Sequence, residues 1–532
     1  MALTETKQEI LLLTSLSIRS QIVADWKKRV HEDPTINPLR AMSLLYYDIV
    51  EAFRENKINP DEYPTNFTIG SLNPRRFAIK RDDGPDPLES EFSDLSKELT
   101  INPHSPDYQN RLKATRLEIE ETAWDDSDSP VYTSYDPWAR GTEETRAGYL
   151  EELKKLGFDN VSVGQTFLCA GGMDGIVRSA RTLHHLLLKK KDISWQLSNV
   201  IEYASQNLPQ RQITLIAQAL LGNFSINNKV KMGFPTPGFM MAANASASEG
   251  LDVVKIKTTE ENDFFPTAGQ IQETLSNQRL DVLMLTPFGN PSTTTWAPEK
   301  LEEFLKASLK KQPEIKFVFD MAYINLVSPD TAKAVVGAIY QSGASSHSVL
   351  VFSRSKEWGQ PRLRSGLILA LDSEINVALN NDTLGSVASQ PYDVDFHDRT
   401  LHVYFQKHPE VLEKYRKLLR QRQRILLNSL IIISEAEIAK DGQPLFDLDY
   451  LNRIVIPNGS LNQPLDKNSI VADVPLYLYI KLKDGLTAWD LAEKYGIIAI
   501  PGTAFGGDEN MVRFSIGTLS SSDIKGVIKN IN

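Results

Sequence analysis

Three short apolar runs recur in the middle of the chain, and each gives way abruptly to polar residues. Asp281-Val282-Leu283-Met284-Leu285 runs into Thr286-Pro287 and then Asn290-Pro291-Ser292-Thr293. Ile315-Lys316-Phe317-Val318-Phe319 ends at Asp320-Met321-Ala322-Tyr323, and the run at 348–352 ends at Ser353-Arg354-Ser355-Lys356. Short apolar, β-branched and aromatic runs of this kind read as buried strands, and helical spacing of apolar residues between them makes βα units. Repeated βα units imply an α/β fold, a three-layer αβα large domain around a mainly parallel sheet. Open sheets of this type bind ligands beyond the carboxyl ends of their strands. Asn290, Asp320, Tyr323 and Lys356 are therefore expected along one sheet edge.

Patterning elsewhere is different. Residues 1–60 have helical spacing, through Ile10-Leu11-Leu12 and Ala41 to Tyr47, whereas 59–137 is acidic and rich in Pro, Asp, Ser and Asn. A charged amphipathic helix is predicted at 142–156, with Gly157 as its stop. Phe167-Leu168-Cys169-Ala170-Gly171-Gly172-Met173-Asp174-Gly175 then leads into a helical run at 176–188. Residues 185–232 read as mostly helical, with Lys189-Lys190-Lys191 on a solvated face. Pro235-Thr236-Pro237-Gly238-Phe239 is a turn before a helical pattern and a strand at 253–256. A long basic helix is predicted at 408–433. Strand and helix patterns at 474–481, 487–495, 497–500 and 511–516 suit a smaller α+β domain built from the N-terminal and C-terminal segments. The predicted divisions are an N-terminal helical and acidic arm over 1–130, a large domain over 131–385 and a C-terminal small domain over 386–532.

The 532 residues carry a net charge of −10, which argues against nucleic acid or an anionic membrane as the main partner. Cys169 is the single cysteine, so no internal disulfide can form, and a reducing compartment is favoured. No basic n-region precedes the short apolar run at 10–13, and no apolar segment is long enough to span a bilayer. A cytoplasmic protein without a metal site is the expectation.

Candidate chemistry centres on Lys356. Beyond a strand end and partly desolvated, its amine is more available than an ordinary lysine's and can form a Schiff base; a lysine in a solvated loop is the competing reading of this stretch alone. Ser353, Ser355 and Arg364 offer hydroxyls and a guanidinium fork to a phosphate. The Gly171-Gly172 turn, opening a helix, presents free N–H groups to the same kind of guest, with Met173 beside it. Asp320, buried at a strand end, needs a cation, which a protonated pyridine nitrogen would supply. Asn290 and Tyr323 could then hold a ring oxygen, and Phe239 could stack on the ring or fill core. Together these residues match every functional group of pyridoxal 5'-phosphate.

This ordered set continues with Pro235-Thr236-Pro237, with Gly366, and with Pro501-Gly502-Thr503-Ala504-Phe505-Gly506 followed by Arg513. Over about residues 130–532 it resembles the class I/II aminotransferases, fold-type I pyridoxal-phosphate enzymes. The resemblance implies a homodimer with shared active sites that transfers an amino group between an α-amino acid and a 2-oxo acid. It implies Lys356 as Schiff-base lysine and proton shuttle, Asp320 on the pyridinium, and Asn290 and Tyr323 at the ring oxygen. Phe239 is implied over the ring, and Arg513 on the substrate α-carboxylate. Tyr135, in Tyr135-Asp136-Pro137, resembles the tyrosine that reaches the partner subunit's phosphate. Thr293 stands where many members have glycine, as does Arg362. Gly359 and Pro361 resemble the lysine loop of aminocyclopropane-carboxylate synthases, and the long chain resembles aspartate 4-decarboxylases. Decarboxylation, elimination or oxidation on the same cofactor are the alternatives, and a non-catalytic cofactor-binding regulator is a more distant one.

Overall fold

The structure, a computed structural model, describes residues 2–33, 36–68, 140–190, 229–357, 364–381, 392–451 and 473–527, with a few isolated residues between 109 and 212. Tyr135 and the lysine-loop residues Gly359, Pro361 and Arg362 lie outside the described residues. The strands, in chain order, are β1 (Thr65–Asn66), β2 (Thr166–Cys169), β3 (Lys231–Thr236), β4 (Asp252–Lys257), β5 (Val282–Leu285) and β6 (Lys316–Asp320). They continue as β7 (Ser348–Ser353), β8 (Gly366–Ala370), β9 (Tyr477–Lys481), β10 (Ile497–Ile498), β11 (Ile500–Pro501) and β12 (Met511–Ser515).

Seven of them form the central sheet, in the order β2-β8-β7-β6-β5-β3-β4. All neighbours run parallel except β8, which is antiparallel to both β7 and β2. β2 therefore runs in the same direction as β7, and the Gly171-Gly172 turn after it opens on the same edge as Lys356. Gly366 sits between Cys169 and Ser353 in register. A Cβ there would meet the Phe352 carbonyl oxygen at 2.6 Å, so glycine is required for the two flanking strand ends to close up.

Side chains alternate between two buried layers. Val349 and Val351 of β7 pack with Ile176, Ala180 and Leu183 of the helix Gly172–Lys190, on one face. Leu350 and Phe352 pack on the other, with Ile271, Leu301, Phe304, Val335 and Ile339 of the helices Ala268–Asn277, Pro298–Lys311 and Pro329–Gln341. Period-two burial on both faces is why the strands read as continuous apolar runs.

A second core joins the two chain ends. Ala41, Leu45, Ile49 and Phe53 of the helix Pro38–Glu55 share a cluster with Leu426 and Leu430 of the helix Glu410–Asp441 and with Leu478, Ile480, Ile497 and Val512. β1 pairs in parallel with β10, while β9 and β11 flank β12 in an antiparallel sheet. Asn37 caps the helix Pro38–Glu55 through the Leu39 N–H, with proline in its first turn. Among the described residues no helix is long and apolar enough to cross a membrane.

Candidate active site

Because β5, β6 and β7 are parallel neighbours, the residues that follow them converge. A cavity of about 270 Å³ is lined by Lys356, Asp320, Tyr323, Asn290, Arg513 and the anion-binding candidates Gly172, Met173, Ser353, Ser355 and Arg364. Phe239 lines it as well, just before the helix Met240–Ser248. Gly171 stands behind this lining. Its backbone is left-handed (φ +85°), and a Cβ would come within 3.2 Å of the Arg364 guanidinium. The helix predicted from 176 begins at Gly172, so its first free N–H groups lie directly at the turn.

Lys356 lies in a single turn of helix, Arg354–Glu357, rather than in an extended loop. The Tyr415 hydroxyl donates to its backbone carbonyl at 3.1 Å. The turn is anchored by Arg354, which is buried, makes a bidentate pair with Glu152 at 2.7 and 3.0 Å, and lies 4.0 Å from the centre of the Tyr149 ring. Burial alone would raise the Glu152 carboxyl, but the Arg354 guanidinium and a hydrogen bond from His402 hold it down at about 2. An unfolded glutamate titrates near 4.3. The pair's contribution is thus in place above about pH 5 and is lost as the pH falls towards 2. Glu152→Ala is expected to lower stability by about 2–3 kcal/mol at pH 7, less than the roughly 3–5 kcal/mol of a fully orphaned buried charge, because Asp398 remains 3.7 Å from Arg354. Urea unfolding of the variant at pH 7 and pH 3 checks this, since the difference must shrink at the lower pH.

Asp320 ends β6 and is 5% exposed. Burial pushes its carboxyl up to about 6, against the Ala322 N–H, which donates to it at 3.1 Å, and the charge of Lys356. A carboxylate in this setting is incomplete without a further cation. Asn290 Nδ2 donates to the Tyr323 hydroxyl at 2.9 Å, and Arg513 Nη1 donates to Asn290 Oδ1 at 2.8 Å. Arg513 is held between two rings, 4.2 Å from the centre of Tyr477 and 4.8 Å from that of Phe505. Its Nε is buried and has no hydrogen-bond partner among the described residues. A guanidinium in this state retains donors for a carboxylate entering the cavity.

The donor set fits pyridoxal phosphate group by group. The glycine turn with Ser353, Ser355 and Arg364 suits its phosphate, Lys356 its aldehyde, Asp320 its ring nitrogen, and Asn290 with Tyr323 its ring oxygen. Five lining residues are not singled out by the sequence patterns: Leu39, Thr68, Ile176, Met241 and Tyr477. Thr68 follows β1, and its hydroxyl donates to Asn66 at 2.7 Å. Thr293 adopts a left-handed backbone (φ +63°), a conformation that favours glycine and that a β-branched residue rarely takes.

Comparison with known proteins bears on this geometry. The family model for aminotransferase class I and II matches residues 216–531, more than half of the chain. Among solved structures, the chain is similar to aspartate aminotransferase from Thermus thermophilus with maleate, at 14% identity and a TM-score of 0.59, over 94% of this chain and 97% of that one. It is also similar to an aromatic aminotransferase from Pyrococcus horikoshii (16% identity, TM-score 0.53, 78% of this chain and 91% of that one). A third is the aspartate aminotransferase from Rhizobium meliloti (14% identity, TM-score 0.54, 84% and 94%). No curated protein matches the sequence.

Proposed function

The chain belongs to the class I and II aminotransferases, pyridoxal-phosphate enzymes of fold type I, and from that premise we propose that it transfers an amino group from an α-amino acid to a 2-oxo acid, with Lys356 as the residue that bonds to the cofactor. The observation that carries this reading is the convergence of Lys356, Asp320 and Arg513 on one cavity beside a glycine-lined helix start. Bound pyridoxal phosphate supplies an aldehyde that condenses with amines and a protonated ring that draws electrons from the substrate α-carbon.

The remaining work falls to the chain. Gly171, Gly172, Met173, Ser353, Ser355 and Arg364 hold the phosphate, and Phe239 covers the ring. Asp320 keeps the ring nitrogen protonated, while Asn290 and Tyr323 hold the ring oxygen. Arg513 would bind the substrate α-carboxylate and so fix the orientation of the α-carbon. Lys356 would hold the cofactor's aldehyde and, as a free amine, would take a proton from the substrate α-carbon. A homodimer in which Tyr135 of one protomer reaches the other's phosphate belongs to the same reading.

Arg513→Ala is expected to raise KM for the amino acid and to lower kcat/KM by roughly 10²–10³-fold, the loss of a charge-assisted bidentate contact worth about 3–4 kcal/mol. Steady-state kinetics with a panel of amino acids, each with and without a 2-oxo acid acceptor, measures this. The same panel tests the reaction. Accumulation of the amino form of the cofactor without acceptor supports transfer, and release of carbon dioxide or consumption of oxygen in its place refutes it.

A further inference from the structure

Among the described residues that line the cavity, Tyr477 is the one with an ionisable side chain to which the proposed function gives no task. It lies on β9, opposite Ser515 of β12, and Tyr479 lies opposite Arg513. Period-two alternation puts Tyr477, Tyr479, Arg513 and Ser515 on one face, which is how Arg513 comes to lie over the Tyr477 ring. The Tyr477 hydroxyl is 3.2 Å from that of Tyr323. Since Asn290 Nδ2 already donates to the Tyr323 oxygen, the Tyr323 hydrogen is the one available to Tyr477. Lys356 lines the same cavity as Tyr477, and its ammonium acts on the Tyr477 hydroxyl both by charge and through a hydrogen bond. Gln423 holds the strand from behind, donating to the backbone carbonyls of Tyr477 (2.8 Å) and Val474 (3.2 Å).

We propose that Tyr477 is the proton partner of Lys356, the group that takes a proton from the lysine when its free amine is needed and returns it afterwards. The Nζ–H bond breaks with its electron pair left on nitrogen, and an O–H bond forms on the phenolate oxygen. The pair's net charge is unchanged, and no proton has to reach solvent.

The charged and titratable groups around Tyr477 all favour this. Burial disfavours its phenolate, but the Lys356 ammonium, the Arg513 guanidinium and hydrogen bonds from Tyr323 and Lys356 outweigh burial and lower it below its ordinary value. Tyr323 moves the opposite way, raised by burial, by Tyr477 and by the charge of Asp320, and only partly offset by Arg513. Of the two tyrosines, Tyr477 is the one that ionises first, and so the one that presents a phenolate oxygen to Lys356.

Tyr477→Phe tests the assignment, because it keeps the ring under Arg513 and removes only the hydroxyl. In the cofactor-free protein, an ultraviolet titration of tyrosinate is expected to show a residue ionising below about pH 10 in the wild type and not in the variant. If the variant does not fold, a titration of ¹³Cζ-labelled tyrosine in the wild type, assigned with Tyr323→Phe, makes the same decision. In the cofactor-loaded enzyme, turnover is expected to fall by about 10²-fold near pH 7, with the deficit shrinking as the pH rises and hydroxide in solvent takes over the removal of the proton. Identical tyrosinate titrations, or a loss equal at every pH, would overturn the proposal, the latter marking a merely structural hydroxyl. The turnover arm rests on the transamination reading and the titration arm does not. A wild-type protein that never takes up pyridoxal phosphate would sink that reading alone.

Discussion

Lys356→Ala yields a protein that folds but carries no visible absorbance from bound cofactor and turns over at background. Three losses coincide at one position. In the proposed reaction the substitution would remove the amine that bonds to the cofactor aldehyde and the base at the substrate α-carbon, and it also removes the cation facing Asp320 and Tyr477. Acid–base catalysis alone is worth about 10²–10⁴-fold, and loss of the covalent role adds to it. Stability should change little, because the side chain is only half-buried and lines a cavity rather than filling core. Absorbance spectra and borohydride reduction followed by peptide mapping provide the check: the wild type gains the cofactor's mass on the Lys356 peptide. A coloured, fully active Lys356→Ala enzyme would remove Lys356 from the reaction.

Asp320→Asn is expected to trade activity for stability. In the cofactor-free protein the Asp320 carboxyl stands at about 6, against roughly 3.9 in an unfolded chain. The folded state therefore holds a proton that the unfolded state releases between those values. Its contribution is full below the unfolded value and is lost as the pH rises through about 6. At about 1.4 kcal/mol per unit, the native carboxylate costs on the order of 3 kcal/mol at pH 8. Asparagine keeps an acceptor for the Ala322 N–H and avoids that cost. Cofactor-free Asp320→Asn should thus be more stable than wild type by about 2–3 kcal/mol at pH 8 and show no such gain at pH 4. Turnover of the loaded enzyme should fall by roughly 10³-fold, because a neutral amide cannot keep the ring nitrogen protonated. Denaturant melts at the two pH values and steady-state rates measure both halves. A variant no more stable than wild type at pH 8 would show that the buried carboxylate is not waiting for a cation.

The lining of the cavity was readable in the sequence wherever a residue sits at or just beyond a strand end. Asn290 and Lys356 follow β5 and β7 and Asp320 ends β6, and parallel neighbours must bring their carboxyl ends to one edge. The Gly171-Gly172 turn was legible because a glycine pair opening a helical pattern is itself a local signal. Tyr477 was not. Leu476-Tyr477-Leu478 reads as ordinary strand, and nothing local says that the hydroxyl meets Tyr323, which is 154 residues away in sequence. Thr68 and Leu39 escaped for the same reason, arriving at the cavity only because β1 pairs with β10 and the helix Pro38–Glu55 packs on the C-terminal core.

What the sequence by itself determined is therefore the α/β class, the mainly parallel sheet and the residues that the edge of that sheet must present, because hydrophobic period and strand direction are local and repetitive. Tertiary structure alone decided the antiparallel insertion of β8, the burial that raises Asp320, and the clamp of Glu152 on Arg354. It also decided the pairing of β9 with β12 that sets Tyr477 and Arg513 side by side. Each of those depends on contacts between segments far apart in the chain, and on how completely water is excluded where they meet.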